Sequence, residues 1–144
     1  MRKPLLVFLT LTVLISGGAF LPSTASAVEN ANPALVAYYF HGKVRCATCQ
    51  KLEQFSKEAL NANFKGELES GKLQFKVVNV DDKGNEHYAS DYKLYTKSLI
   101  LSLVKDGKEI KWKNLDKIWE YVGNKEKYVD YVKIETKDFL KEAS

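Results

Sequence analysis

Cysteine is scarce in this chain of 144 residues, and its only two copies, Cys46 and Cys49, are separated by two residues. No second CxxC pair and no closely spaced pair of histidines is present to complete a zinc cluster, which normally has four such ligands. A structural disulfide is a weaker alternative, because a bridge across two residues restricts the unfolded chain very little. The lack of further zinc ligands and the short span of the bridge therefore favour a redox-active dithiol.

Proline and net charge are also in short supply. The three prolines, Pro4, Pro22 and Pro33, all precede the region that carries the cysteines. The 22 basic and 18 acidic residues give a formal charge of only +4, and the two signs are interspersed. An excess this small gives no basis for a nucleic-acid partner or for binding to an anionic membrane. No internal repeat or linker divides the chain after its N-terminal segment, so we expect one folded domain.

Residues 1–27 have the pattern of a secretory signal peptide. Two basic residues follow the first methionine, a largely apolar run covers residues 5–14, and Ala25-Ser26-Ala27 is a small-x-small cleavage signal. We therefore predict cleavage after Ala27, a periplasmic or secreted protein, and a mature domain at residues 28–144. The alternative is an uncleaved anchor, but the apolar run is short for a membrane span, so no stable membrane anchor is expected.

The two cysteines lie between a predicted strand and a predicted helix. Residues 34–41 are rich in apolar, β-branched and aromatic side chains, which indicates a buried strand. After Cys49, apolar residues recur at helical spacing as far as Phe64. A cysteine at a helix start faces unpaired backbone N–H groups and the positive end of the helix dipole. Both stabilise a thiolate, which is the reactive form of the side chain.

The rest of the pattern predicts an α/β domain with a four-stranded mixed sheet flanked by helices. After the first strand and helix, we predict strands at residues 73–80, 99–104 and 109–112. Helices are predicted at residues 86–92, 114–122 and 128–139. Strand–helix–strand units are nearly always parallel, and an Asp-Gly hairpin adds the last strand as an antiparallel edge. The cysteines should then lie at the carboxyl end of the first strand, where open α/β sheets place their sites.

Several motifs resemble the thioredoxin superfamily. They are the CxxC pair at a helix start, the strand end Asn79-Val80-Asp81 and the hairpin Val104-Lys105-Asp106-Gly107. More narrowly, Tyr38-Tyr39-Phe40-His41, Arg45-Cys46-Ala47-Thr48-Cys49 and Leu52-Glu53 resemble a group of exported CxTC thioredoxin-like proteins labelled as a nitrophenyl compound nitroreductase subunit.

This resemblance implies a thioredoxin fold and a thiol–disulfide oxidoreductase in which Cys46 is the exposed nucleophile and Cys49 the resolving thiol. A protein disulfide or dithiol is the implied substrate, and a membrane electron donor is a further partner that it allows. Nothing in the sequence indicates a flavin or nicotinamide site, so no cofactor is expected.

Three departures from the thioredoxin pattern are evident. The residues between the cysteines are Ala-Thr instead of Gly-Pro, and the first strand has no acidic residue to relay the proton of Cys49. The family's cis-proline is also missing, since its place falls at Ser98 or Leu99. Because a cis peptide bond without proline costs about 3 kcal/mol, we predict trans bonds at residues 97–99 and a reshaped pocket wall.

Two residues beside the cysteines are candidates for assisting them. Arg45 adjoins Cys46, where a fixed cation would lower the pKa of the thiol, although a solvated loop arginine is the simpler alternative. His41 ends the first strand and could move protons or ligate a soft metal ion, or it could simply bond to the backbone.

Two other functions stay open. One is a soft-metal or metalloid-binding module that uses the two cysteines with or without His41, because thiolates select soft ions. The other is a noncatalytic subunit of a larger redox complex.

Overall fold

A computed structural model of the chain describes residues 34–142, and the predicted signal peptide and its cleavage site lie outside this range. The elements are β1 (Leu35–His41), α1 (Ala47–Asn63), α2 (Lys65–Glu69), β2 (Leu73–Asn79), α3 (His87–Asp91), β3 (Ser98–Lys105), β4 (Lys108–Asn114), α4 (Ile118–Tyr121) and α5 (Lys125–Glu142). The sheet has the order β2–β1–β3–β4, with β1 and β2 parallel and both other pairs antiparallel. This is the topology of the thioredoxin fold, and it confirms the predicted four-stranded mixed sheet.

Strand alternation divides the core into two layers. On one face, the odd-numbered side chains of β1 and β3 pack beneath α1 and α5; they are Leu35, Ala37, Tyr39, Leu99, Leu101 and Leu103. On the other face, Phe40 and Ile100 pack with Tyr92, which follows α3. Each fully buried aliphatic side chain contributes about 2 kcal/mol to this arrangement. The first layer therefore fixes α1, the helix that carries the cysteines, against the central strand.

The direction of β3 corrects the sequence analysis, which predicted three parallel strands. A parallel connection must run back along the sheet, and the seven residues of β2 span about 23 Å. The connection that contains α3 makes no such return, because Ser98, the first residue of β3, pairs with Phe40 near the end of β1. β3 then starts at that same end, which brings its first residues close to the carboxyl ends of β1 and β2.

The predicted helix at residues 114–122 is also wrong in its first half. Asn114 is not a helix cap, because it pairs with Ile100 as the last residue of β4. The Leu115 N–H continues this pairing by donating to the Leu99 carbonyl at 2.8 Å. Only Ile118–Tyr121 are helical. Pairing with β3 therefore overrides the local helical pattern.

Among residues 34–142, no helix combines the length and the hydropathy needed to cross a lipid bilayer.

Candidate functional site

The two cysteines form a disulfide at the start of α1, with their Cα atoms 5.1 Å apart. Cys46 is the N-cap residue of this 17-residue helix, and its Sγ accepts a hydrogen bond from the Cys49 N–H at 3.3 Å. Cys46 is exposed, whereas Cys49 is only 1% exposed. When the bridge opens, the first helical N–H groups can stabilise negative charge on the exposed sulfur.

The loop before Cys46 is tied to the end of β2. The Lys43 N–H donates to Asp81 Oδ2 at 2.6 Å, and Asp81 lies two residues beyond β2. Gly42 allows this close approach, because a Cβ atom at this position would lie 2.9 Å from Asp81 Oδ2. The bond from Asp81 helps to set the path of the chain from β1 to the cysteines.

Substituting Gly42 by alanine should therefore lower the free energy of unfolding by about 1 kcal/mol, because Asp81 must move and release the Lys43 N–H. In an Asp81→Ala background, the same substitution should be neutral or stabilising, since alanine reduces the entropy of the unfolded chain. Urea unfolding of the four proteins measures both effects. Equal destabilisation by Gly42→Ala in the two backgrounds would exclude this role for Asp81.

Arg45 points along α1 rather than standing alone beside Cys46. Its Nη2 donates to Oε2 of Glu53, and both side chains are partly exposed. The positive charge expected to act on the Cys46 sulfur is therefore shared with a carboxylate. An ion pair of this kind adds little to stability, generally less than about 1 kcal/mol. Its importance for the site is therefore that it fixes where the Glu53 carboxylate lies.

The side chain of His41 makes a hydrogen bond to the backbone of the next residue. Its Nδ1 donates to the Gly42 carbonyl at 2.9 Å, and its ring lies 6.4 Å from that of Tyr39. The donor role of Nδ1 leaves Nε2 as the acceptor nitrogen of the neutral ring. No group of three His, Cys, Asp or Glu side chains within residues 34–142 is arranged to hold a metal ion.

Tyr39 belongs to the site, although the sequence analysis assigned it no role. It is fully buried, and its hydroxyl donates to the Cys49 carbonyl at 2.7 Å. Burial is the main cause that raises the pKa of Tyr39 to about 12; the charge of Glu53 adds to this shift and that of Arg45 opposes it. The phenol therefore stays protonated at neutral pH and is a fixed donor beneath the first turn of α1.

The segment before β3 forms the wall where the thioredoxin pattern has a cis-proline. All peptide bonds in the described range are trans, which confirms the prediction for residues 97–99. The Ser98 side chain is buried and donates to the Thr96 carbonyl at 3.0 Å, while the indole Nε1 of Trp119 donates to the Lys97 carbonyl at 3.0 Å. A cavity of about 160 Å³ lies beside this segment and is also lined by His41 and Gly42.

Among solved structures, the chain is similar to several thioredoxins. The thioredoxin of Fasciola hepatica is 26% identical, with a TM-score of 0.38, over 66% of this chain and 83% of that one. Thioredoxin f2 of Chlamydomonas reinhardtii is 17% identical, with a TM-score of 0.36, over 67% and 82% of the respective chains. A thioredoxin from Thermus thermophilus is 19% identical, with a TM-score of 0.37, over 62% and 71%. No family model and no curated protein matches significantly.

Proposed function

We propose that this protein is a thiol–disulfide oxidoreductase that acts through the Cys46–Cys49 pair. The observation that carries the proposal is the asymmetry of the disulfide: Cys46 is exposed at the N-cap of a long helix, and Cys49 is buried one turn behind it. The exposed sulfur can be attacked by a partner, and the helix start stabilises it as a thiolate. The bridge spans only two residues, so a purely structural role would gain little.

The reaction conserves atoms and electrons. In the reduced protein, the Cys46 thiolate attacks one sulfur of a partner disulfide and displaces the other as a thiolate, which takes up a proton. The Cys49 thiol then loses its proton and attacks Cys46, forming the intramolecular disulfide and releasing the second partner sulfur as a thiolate. Two electrons have passed to the partner. The reverse sequence oxidises a partner dithiol, and the reduction potential of the pair decides which direction prevails.

We further propose that this chemistry takes place after export. The signal-peptide pattern of residues 1–27 supports this proposal, and so does the resemblance to exported CxTC proteins at residues 38–41, 45–49 and 52–53. Partner proteins outside the cytosol commonly carry disulfides, which would be the substrates. A membrane electron donor would complete the cycle if the protein acts as a reductant.

The reduction potential of the purified protein tests the proposal. Equilibration in glutathione or dithiothreitol buffers should give a reversible two-electron transition at a potential above about −300 mV, the range of functional rather than structural disulfides. The protein should also accelerate either reduction of insulin disulfides or oxidation of a reduced test protein. A potential below about −300 mV with no turnover in either assay would mark the bridge as structural.

A further inference from the structure

We propose that Glu53 exchanges a proton with Cys49 during thiol–disulfide exchange and that Arg45 holds Glu53 in position to do so. The inference rests on the proposed function and adds a proton acceptor to it. Another element must supply this acceptor, because β1 has no acidic residue. Cys49 is almost completely buried, so burial hinders loss of its proton and limits the access of water.

The helix places Glu53 on the face that carries Cys49. The two residues are four apart on α1, where side chains at this spacing lie about 5–6 Å apart at Cβ. Helical side chains lean toward the N-terminus, so that of Glu53 extends over the turn that contains Cys49. Arg45 lies before the N-cap and donates to Oε2, which draws the carboxylate in the same direction. Oε1 can still take a proton.

Tyr39 provides a second indication that the carboxylate lies close to Cys49. Its hydroxyl is 2.7 Å from the Cys49 carbonyl oxygen. The same hydroxyl experiences the charge of Glu53, which helps to raise its pKa, and the charge of Arg45, which lowers it. The charges of the ion pair therefore act on the hydroxyl that is bonded to the Cys49 backbone. Tyr39 stays protonated at neutral pH, so Glu53 is the acceptor in this group of side chains.

The proton transfer fits the resolution step. In the mixed disulfide, the Cys49 thiol passes its proton to the Glu53 carboxylate, and the resulting thiolate attacks Cys46. The bond between Cys46 and the partner breaks as the intramolecular disulfide forms, and the partner thiolate takes up a proton. In the reverse direction, protonated Glu53 neutralises Cys49 as it leaves the disulfide.

Glu53→Gln removes the acceptor with little change in shape, and Glu58→Gln is its matched control. Glu58 lies on the same helix and also pairs with a basic residue, Lys125, at 2.6 Å. The reduced proteins are mixed with excess oxidised glutathione, quenched with acid at intervals and separated by mass. At neutral pH, Glu53→Gln should accumulate the glutathione mixed disulfide and resolve it about tenfold more slowly, while Glu58→Gln resolves it at the normal rate. The difference in resolution rate between Glu53→Gln and the parent protein should shrink as the pH rises, because hydroxide then accepts the Cys49 proton in place of the carboxylate.

Arg45→Gln separates positioning from proton transfer. It should slow resolution less than Glu53→Gln does, and the double variant should be no slower than Glu53→Gln alone, because the two side chains act as one unit. Arg45→Lys should restore part of the rate. His41→Asn tests the competing acceptor, and it should resolve the mixed disulfide normally.

A titration of Cys49 gives a readout that does not depend on turnover. In a Cys46→Ser background, ultraviolet absorbance follows formation of the Cys49 thiolate. Adding Glu53→Gln should lower the pKa of Cys49, because the thiolate no longer forms beside a negative charge. Unchanged resolution together with an unchanged titration would overturn the inference, and so would a resolution deficit found in His41→Asn instead. If the parent protein shows no turnover, the proposed function is wrong. The effect of Glu53 on the titration of Cys49 would still be measurable in that case.

Discussion

Replacing Cys46 by serine should abolish the reaction of this protein with partner disulfides, whereas replacing Cys49 by serine should trap a mixed disulfide on Cys46. Cys46 is the exposed sulfur at the helix start, so its loss removes the nucleophile. Cys49 is buried and reaches only Cys46, so its loss leaves the first step intact and removes the second. Mass spectrometry after incubation with a disulfide-bonded protein should detect the covalent complex for Cys49→Ser alone.

Alkylation against pH provides the check on this assignment, with the double serine variant as the blank. The Cys46 thiol should titrate below about 8.5, the ordinary pKa of a free cysteine, because the helix N-terminus favours its thiolate. Arg45→Ala should raise that pKa only modestly, since Glu53 already offsets the arginine charge. Titration of Cys46 at the ordinary value, or faster alkylation of Cys49, would remove the physical basis of the oxidoreductase proposal.

The sequence predicts those parts of the fold that depend on neighbours along the chain. The apolar run at residues 35–41, the helical spacing after Cys49 and the Asp106-Gly107 turn are local patterns, and the structure has an element or turn at each of them. The direction of β3 depends instead on the path of the chain between Asn79 and Ser98, which no local periodicity reports. Asn114 illustrates the same limit, because a residue suited to cap a helix is used as the last residue of a strand.

The candidate site divides in the same way. The two cysteines could be found from the sequence because their spacing and the helix that follows them are contiguous. The partner of Arg45 could not, because Glu53 is eight positions further along the chain and only the rotation of α1 brings their side chains together. Tyr39 gave a weak signal: it shares the strand face of Leu35 and Ala37, which points toward α1. The hydrogen bond from Tyr39 to Cys49 depends on how closely α1 packs against the sheet, which the sequence does not show.

Truncating Tyr128 to alanine should destabilise the protein by about 3–5 kcal/mol, because a fully buried aromatic side chain between α5 and α1 would be lost. Its ring packs edge-on against Phe55 at 5.5 Å between centroids. Its hydroxyl donates to the Leu52 carbonyl at 2.9 Å and lies 2.8 Å from Ser56 Oγ. Tyr128→Phe keeps the ring and removes only these hydrogen bonds, so it should lower stability by about 1 kcal/mol.

Urea unfolding of the oxidised protein measures both losses, and Tyr95→Ala is the control because Tyr95 is 95% exposed and should change stability by less than about 0.5 kcal/mol. Equal losses of stability for the alanine and phenylalanine variants would mean that the hydroxyl, not the packed ring, joins the helices.

Leu52 lies one turn beyond Cys49 on α1, so the contact with Tyr128 also holds the turn that presents the disulfide. Folded Tyr128→Ala protein should therefore resolve mixed disulfides more slowly, because Cys49 is no longer held firmly behind Cys46.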